Sequence, residues 1–138
     1  MDFGKPLLEA TSDNGRVVIY RPANDVVVTV NEGFLTQPLW LEQLPVYDAI
    51  YASTPMVRTF LDSLAVRSFE PEYRDASQRY IKGKKSQIAE MVILQQSALI
   101  KLAVNAVSLF SGVPMEAETN RATFEARLGA ALARKRAA

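Results

Sequence analysis

The sequence contains no cysteine and no histidine. Without cysteine there are no disulfides, no thiolate metal sites and no cysteine nucleophile, and the redox compartment leaves no mark on the chain. Without histidine the commonest general base and the commonest metal ligand are both missing. A hydrolytic triad would need another base, and a transition-metal site would have to be built from carboxylates alone. No cofactor, no metal and no catalytic role is therefore expected. An excess of one charge is missing too: sixteen basic and fifteen acidic side chains leave +1. The overall field argues neither for nor against nucleic acid, and only local patches can do so. The opening MDFGKPLLEA has no basic stretch followed by an apolar run, so it does not read as a secretory signal.

What is present is 138 residues, 49% hydrophobic and 22% charged, the profile of one globular domain with a sizeable core. No internal repeat and no low-complexity segment interrupts it. The most apolar stretch is residues 85–111, KSQIAEMVILQQSALIKLAVNAVSLFS, with no proline or glycine and only Lys85, Glu90 and Lys101 charged. At 3.6 residues per turn its Ile88, Met91, Val92, Leu99, Leu102, Val104, Val107 and Leu109 point to more than one side. A helix with that pattern has to be buried over most of its circumference, so this stretch is expected to be the central helix. Gln95, Gln96, Lys101 and Asn105 near its middle argue against a membrane span, which leaves a core helix in a cytoplasmic protein. Gly112 and Pro114 are the stop signals.

Ahead of it, Asp13-Asn14-Gly15 signals a turn. The β-branched runs 16–20 (RVVIY) and 26–30 (VVVTV), separated by Arg21-Pro22-Ala23-Asn24-Asp25, read as a β-hairpin. Both strands are apolar on both faces, so each face needs a cover. Phe34-Leu35 or Leu39-Trp40-Leu41 offers a short third strand. From Leu44 the pattern turns helical. A short helix over about 45–51 is followed by one opened by Thr54 as cap and Pro55 at the first position, with Val57, Phe60, Leu61 and Leu64 on one face. Pro71 opens a polar helix that ends at 82–85 (KGKK), and a last helix covers about 119–136. The expected fold is a single α+β domain: an N-terminal β-hairpin of two or three strands (residues 1–43) packed on a helical bundle of about five helices (residues 44–138).

Residues 44–64 have the outline of a helix-turn-helix, whose second helix would bring Thr54 and Arg58 to base edges, Arg58 as the guanine reader. Tyr47 and Tyr51 stand where such motifs keep small residues and would prop the helices apart, so two ordinary packed helices explain the segment better. The spacing of Asn14, Ile19-Tyr20, the hairpin, Trp40-Leu41-x-Gln43, Ile50, Ser53, Val57, Leu61 and Leu64 resembles the amino-terminal part of RhuM-type and related phage antirepressor-like proteins. There a short hairpin leads to a tryptophan-leucine-x-glutamine segment and a helix-turn-helix-like unit. The resemblance covers residues 16–64 and implies a protein of a phage or other mobile element acting on DNA or on a repressor.

The stretch 67–85 interleaves Arg67, Arg74, Arg79, Lys82, Lys84 and Lys85 with Phe69, Tyr73 and Tyr80. It can be read as a phosphate-tracking surface or as a solvated loop diluted by Glu70, Glu72 and Asp75. Those three carboxylates have no spacing distinctive of acid–base work. Gly83-Lys84-Lys85-Ser86 lacks the upstream glycine of a phosphate loop. The cations at 134–136 complement the carbonyl end of the last helix.

The expected function is that of a non-enzymatic, small oligomeric protein that binds a macromolecular partner. The partner is a protein, or a second copy in a homodimer, engaged through the hairpin edge or a Tyr47, Tyr51, Tyr73 and Tyr80 surface. The alternative is a helix-turn-helix-like DNA-binding regulator using Thr54, Arg58, Arg74, Arg79, Lys82, Lys84 and Lys85. Neither a membrane nor a small-molecule substrate is indicated.

Overall fold

The computed structural model describes residues 1–97 and 111–134. The β-branched runs form the start of a mixed sheet rather than an isolated hairpin. Strands β1 (Leu8–Thr11), β2 (Gly15–Ala23) and β3 (Val26–Leu35) make an antiparallel meander. The chain then runs through helix α1 (Gln37–Ser53), strand β4 (Val57–Phe69), helix α2 (Pro71–Gly83), a 3₁₀ turn at Lys85–Gln87 and strand β5 (Ile88–Leu94). Strand β6 (Met115–Glu118) and helix α3 (Arg121–Ala133) complete the described part. The six strands lie in the order β1-β2-β3-β4-β5-β6, with β3 to β6 parallel.

Strand alternation divides the core in two. Val17, Ile19, Val27, Val57, Met91 and Ile93 face one side, where α1 lays down Leu39, Ile50 and Tyr51 and α2 contributes Tyr73, Tyr80 and Ile81. Val26, Val28, Phe60, Val92 and Leu94 face the other side and are covered by Phe124, Leu128 and Ala131 of α3. Each such side chain contributes about 1.5–3 kcal/mol when fully removed from water. A sheet covered on both faces needs strands that are apolar throughout, as β3 is from Val26 to Val28.

This geometry overturns the helical bundle. Residues 44–138 supply three of the six strands, and the described residues form three α-helices around a sheet. The second helix of the expected helix-turn-helix is strand β4. Its Val57 and Leu61 face α1 and α2 while Phe60 and Leu64 face α3, and two-sided burial imitates the i, i+3, i+4, i+7 spacing of a helix. Thr54 does not open a helix but caps the end of α1 in an extended conformation. The stretch expected as the central helix begins with the 3₁₀ turn and becomes β5, IAEMVIL, for the same reason: an apolar run covered on both faces has no strand alternation to display. Of the rest of that stretch, residues 98–110 lie outside the described residues. Among the described residues no helix is long and apolar enough to cross a membrane.

The meander closes on two glycines paired across β2 and β3, Gly15 and Gly33. Gly33 has φ +74°, and a Cβ there would stand 2.2 Å from the carbonyl oxygen of Asn14. A Cβ at Gly15 would stand 2.1 Å from the carbonyl oxygen of Phe34. The Phe34 N–H donates to Asn14 O across this contact at 2.9 Å, so the backbones cannot separate without losing the bond. Gly33→Ala is expected to lower the free energy of unfolding by about 1–3 kcal/mol or more. Urea denaturation followed by circular dichroism checks it through a lower midpoint at unchanged slope.

Candidate functional site

The four tyrosines expected on a binding surface are packed between α1, α2 and the sheet. Trp40 is their hub, with its ring stacked on Tyr47 at 6.0 Å and edge-on to Tyr73 at 6.1 Å and Tyr80 at 5.5 Å. Tyr51 joins through Tyr80 at 6.1 Å. Their hydroxyls are engaged inside the molecule. Tyr47 Oη lies 2.7 Å from Thr29 Oγ1 and donates to Gln43 Oε1 at 3.4 Å, and Gln43 Nε2 donates to Tyr73 Oη at 3.2 Å. Tyr51 bonds Thr59, and Tyr80 donates to Asp48 Oδ1 at 2.7 Å. An amphipathic ring with an internal partner for its hydroxyl is a core residue. Burial raises all four phenol pKa values above their ordinary range; at Tyr80 the bond to the Asp48 carboxylate adds to it.

The residues expected to read DNA are scattered over separate roles. Thr54 is buried and its Oγ1 accepts from Arg21 Nη2 at 2.7 Å. Arg58 lies inside β4 and pairs with Glu90 of β5. Glu90 is also 3.8 Å from Arg127, which reaches Glu116 at 2.6 Å and Glu118 at 3.5 Å. Arg58 thus belongs to an ionic ladder that ties α3 to the sheet. Lys84 holds its ammonium over the Tyr51 and Tyr80 rings at 5.7 and 5.6 Å, a cation–π contact. Arg74 pairs with Asp75 at 3.1 Å, while Arg79 and Lys82 stand exposed on α2 and Lys85 on the 3₁₀ turn. The 67–85 stretch is therefore part of strand β4 and a helix, with its aromatic residues Tyr73 and Tyr80 turned inward. No helix-turn-helix brings these cations together.

Two open depressions lie at the carboxyl ends of β3 and β4. One, of about 490 Å³, is lined by Asn14, Arg16, Glu32, Gly33 and Arg67; the other, of about 320 Å³, by Asn31, Asp62, Leu64, Gln96 and Arg121. In the second, both Asp62 carboxylate oxygens accept from Arg121, at 3.0 and 3.3 Å, which anchors the first turn of α3. Asn31 is buried beside it; its Nδ2 donates to Ser63 Oγ at 3.2 Å and its Oδ1 meets no donor among the described residues. Glu70, grouped above with Glu72 and Asp75, accepts the Gln37 N–H at 2.8 Å and so holds the start of α1. Among the described residues no three histidine, cysteine or carboxylate side chains gather at metal-binding distance.

The surface that sequence reasoning missed is the outward face of α1. This 17-residue helix, QPLWLEQLPVYDAIYAS, has apolar residues on two sides, and among the described residues it is the side of Leu39, Trp40, Gln43, Ile50 and Tyr51 that meets the core. At 100° per residue Leu41, Ala52, Pro45, Pro38 and Ala49 occupy about 80° of arc on the opposite side. Leu41 is 56% exposed, and the other four are exposed as well. Asp48 borders one edge of this strip and Glu42 the other, and α1 carries no lysine or arginine. Pro45 has no N–H, so the carbonyl of Leu41 one turn earlier is left without its helical donor. The rule that each apolar side of a helix needs a cover, applied above to residues 85–111, applies to this one and would have found the strip.

Neither a protein-family model nor a curated protein matches the sequence. Among solved structures, the chain is similar to the crystal structure of an uncharacterized protein of the DUF3478 family with a SpoIIAA-like fold from Shewanella loihica PV-4. The TM-score is 0.69 at 14% identity, over 88% of this chain and 98% of that one. At this identity the likeness shows the fold, a SpoIIAA-like α/β sheet. It replaces the RhuM-type and phage antirepressor resemblance: residues 16–64, which carried it, are β2, β3, α1 and the start of β4 of this sheet. The similarity supplies no link to a phage and none to DNA.

The buried phenols make stability depend on pH in one direction. Their folded-state pKa values lie above the unfolded value of about 10, so below that pH both states keep the protons and stability is unaffected. Above it the unfolded chain releases protons that the fold retains, and stability falls as pH rises. Thermal midpoints are expected to hold from pH 8 to about 9.5 and then to drop. Absorbance at 295 nm should show the ionisation of these tyrosines coinciding with unfolding rather than preceding it.

Proposed function

We propose that this chain is a non-enzymatic binding module that engages a protein partner through the outward face of α1. One observation carries the reading: α1 leaves an apolar strip of about 80° of arc, centred on Pro45 and including Leu41, facing solvent. Apolar strips left open on a folded surface mark sites of association. The helix is about 26 Å long, enough for a helical segment of a partner to pack alongside it, ridges into grooves. The surfaces first considered support this less well. Tyr51 is buried, Tyr47, Tyr73 and Tyr80 are partly buried and packed against the core, and the open edge of the meander is the four-residue β1, where Glu9 is paired with Arg16.

The test places the photo-crosslinking residue benzoylphenylalanine at Ala49, on the strip, and separately at Arg79, on the exposed face of α2, in the cells that make the protein. A discrete adduct from position 49, absent from position 79 and lost when Leu41→Ser is added, is the expected outcome. Equal adducts at both positions, or one indifferent to Leu41→Ser, would sink the reading. Leu41→Ser itself should change stability by no more than about 0.5 kcal/mol, because the side chain lies outside the core.

A further inference from the structure

We infer that the segment received by this face is a cationic amphipathic helix, an inference that rests on the docking reading above. The two charges that border the strip are both negative. Glu42 and Asp48 border the apolar strip on opposite sides, separated by six residues and so by about 9 Å along the axis. The Leu41 carbonyl, freed by Pro45, adds an acceptor on the strip itself. The carboxyl end of α1 is already met by the Arg21 guanidinium, on Ser53 and Thr54, and by the Gln87 amide on the Tyr51 and Thr54 carbonyls, so the unmatched negative charge of this face lies on Glu42 and Asp48. Asp48 is held in place by the Tyr80 hydroxyl at 2.7 Å, and Lys84, one of several cations on the α2 side, is turned onto the Tyr51 and Tyr80 rings.

A helix with apolar residues at i, i+3 or i+4 and i+7 would fill the strip, and lysines or arginines on its two shoulders would meet Glu42 and Asp48. A second copy of α1 suits the face poorly. Two-fold packing of one strip on another sets these carboxylates against like charges, with no base on α1 to separate them. An anionic lipid surface meets the same repulsion.

The experiment uses the whole chain and three synthetic helical peptides of about 16 residues, matched to the span of α1. One has a leucine strip with lysine shoulders, one the same strip with glutamate shoulders, and one the lysines with serine in place of leucine. Binding is read by fluorescence anisotropy at about 50 and about 200 mM salt. The lysine–leucine peptide is expected to bind, severalfold more weakly at the higher salt, and to lose affinity with Leu41→Ser. Reversing both charges, Glu42→Lys with Asp48→Lys, should weaken it about tenfold and admit the glutamate–leucine peptide. Glu42→Lys alone gives the same direction without touching the Tyr80 bond.

If both leucine peptides bind alike and both respond to Leu41→Ser, the docking face stands and the cationic partner is wrong. If the protein forms a dimer in sedimentation that Leu41→Ser dissolves, the occupant is a second copy and the inference again fails. If no peptide binds, or none responds to Leu41→Ser, the inference falls, and with indifference in the crosslinking experiment the docking reading falls with it.

Discussion

Two-sided burial of β3, β4 and β5 is the constraint on which the other elements depend. Val26 and Val28 press against α3 while Val27 presses against the α1 layer, and the same division runs through Phe60 against Val57 and through Val92 against Met91. A strand apolar on both faces is stable only between two layers. The parallel strands therefore require α1 and α2 on one side and α3 on the other. The antiparallel meander extends the sheet at one edge, and the close approach of Gly15 and Gly33 lets β2 and β3 cross where a side chain would force them apart.

The two layers are held differently. Helix α3 is short, buries three side chains, and is fastened by charge: Arg121 to Asp62 at its start and Arg127 to Glu90, Glu116 and Glu118 in its middle. The α1–α2 layer is fastened by aromatic packing around Trp40 and by the chain of bonds from Thr29 through Tyr47 and Gln43 to Tyr73. These internal polar contacts set the rotation of α1 about its axis. Turned by half a circumference, the helix would still present apolar residues to the sheet, but Tyr47 and Gln43 would lose their partners. Buried hydrogen bonding, more than hydrophobicity, thereby determines which apolar face of α1 is left outside.

Much of the local structure was legible. The β-branched runs at 16–20 and 26–30 do pair as antiparallel strands, within β2 and β3, and their lack of a polar face correctly demanded cover on both sides. Pro71 begins α2 and Gly83 ends it. The last helix, expected over about 119–136, is α3, Arg121–Ala133. Residues 57–69 and 88–94 were not legible as strands. A fully buried strand and a buried helix share one signature, an apolar run without alternation, and the choice depends on neighbours far away in sequence. The packing of the tyrosines was not legible for a related reason. A phenol suits a wet surface and a hydrogen-bonded core equally, and only the positions of Thr29, Gln43, Thr59 and Asp48 distinguish the two.

Composition alone excluded thiol and histidine chemistry, and the β-branched runs alone placed a two-faced hairpin near the start, because residue type and local spacing are properties of the chain itself. The parallel pairing of β3 to β6, the burial of the tyrosines, the capture of Arg58 by Glu90 and the open strip on α1 were decided by the tertiary structure. They depend on how separate elements are brought together, 24 positions apart from Met91 to Met115 and 32 from Arg58 to Glu90, and no local pattern carries that information.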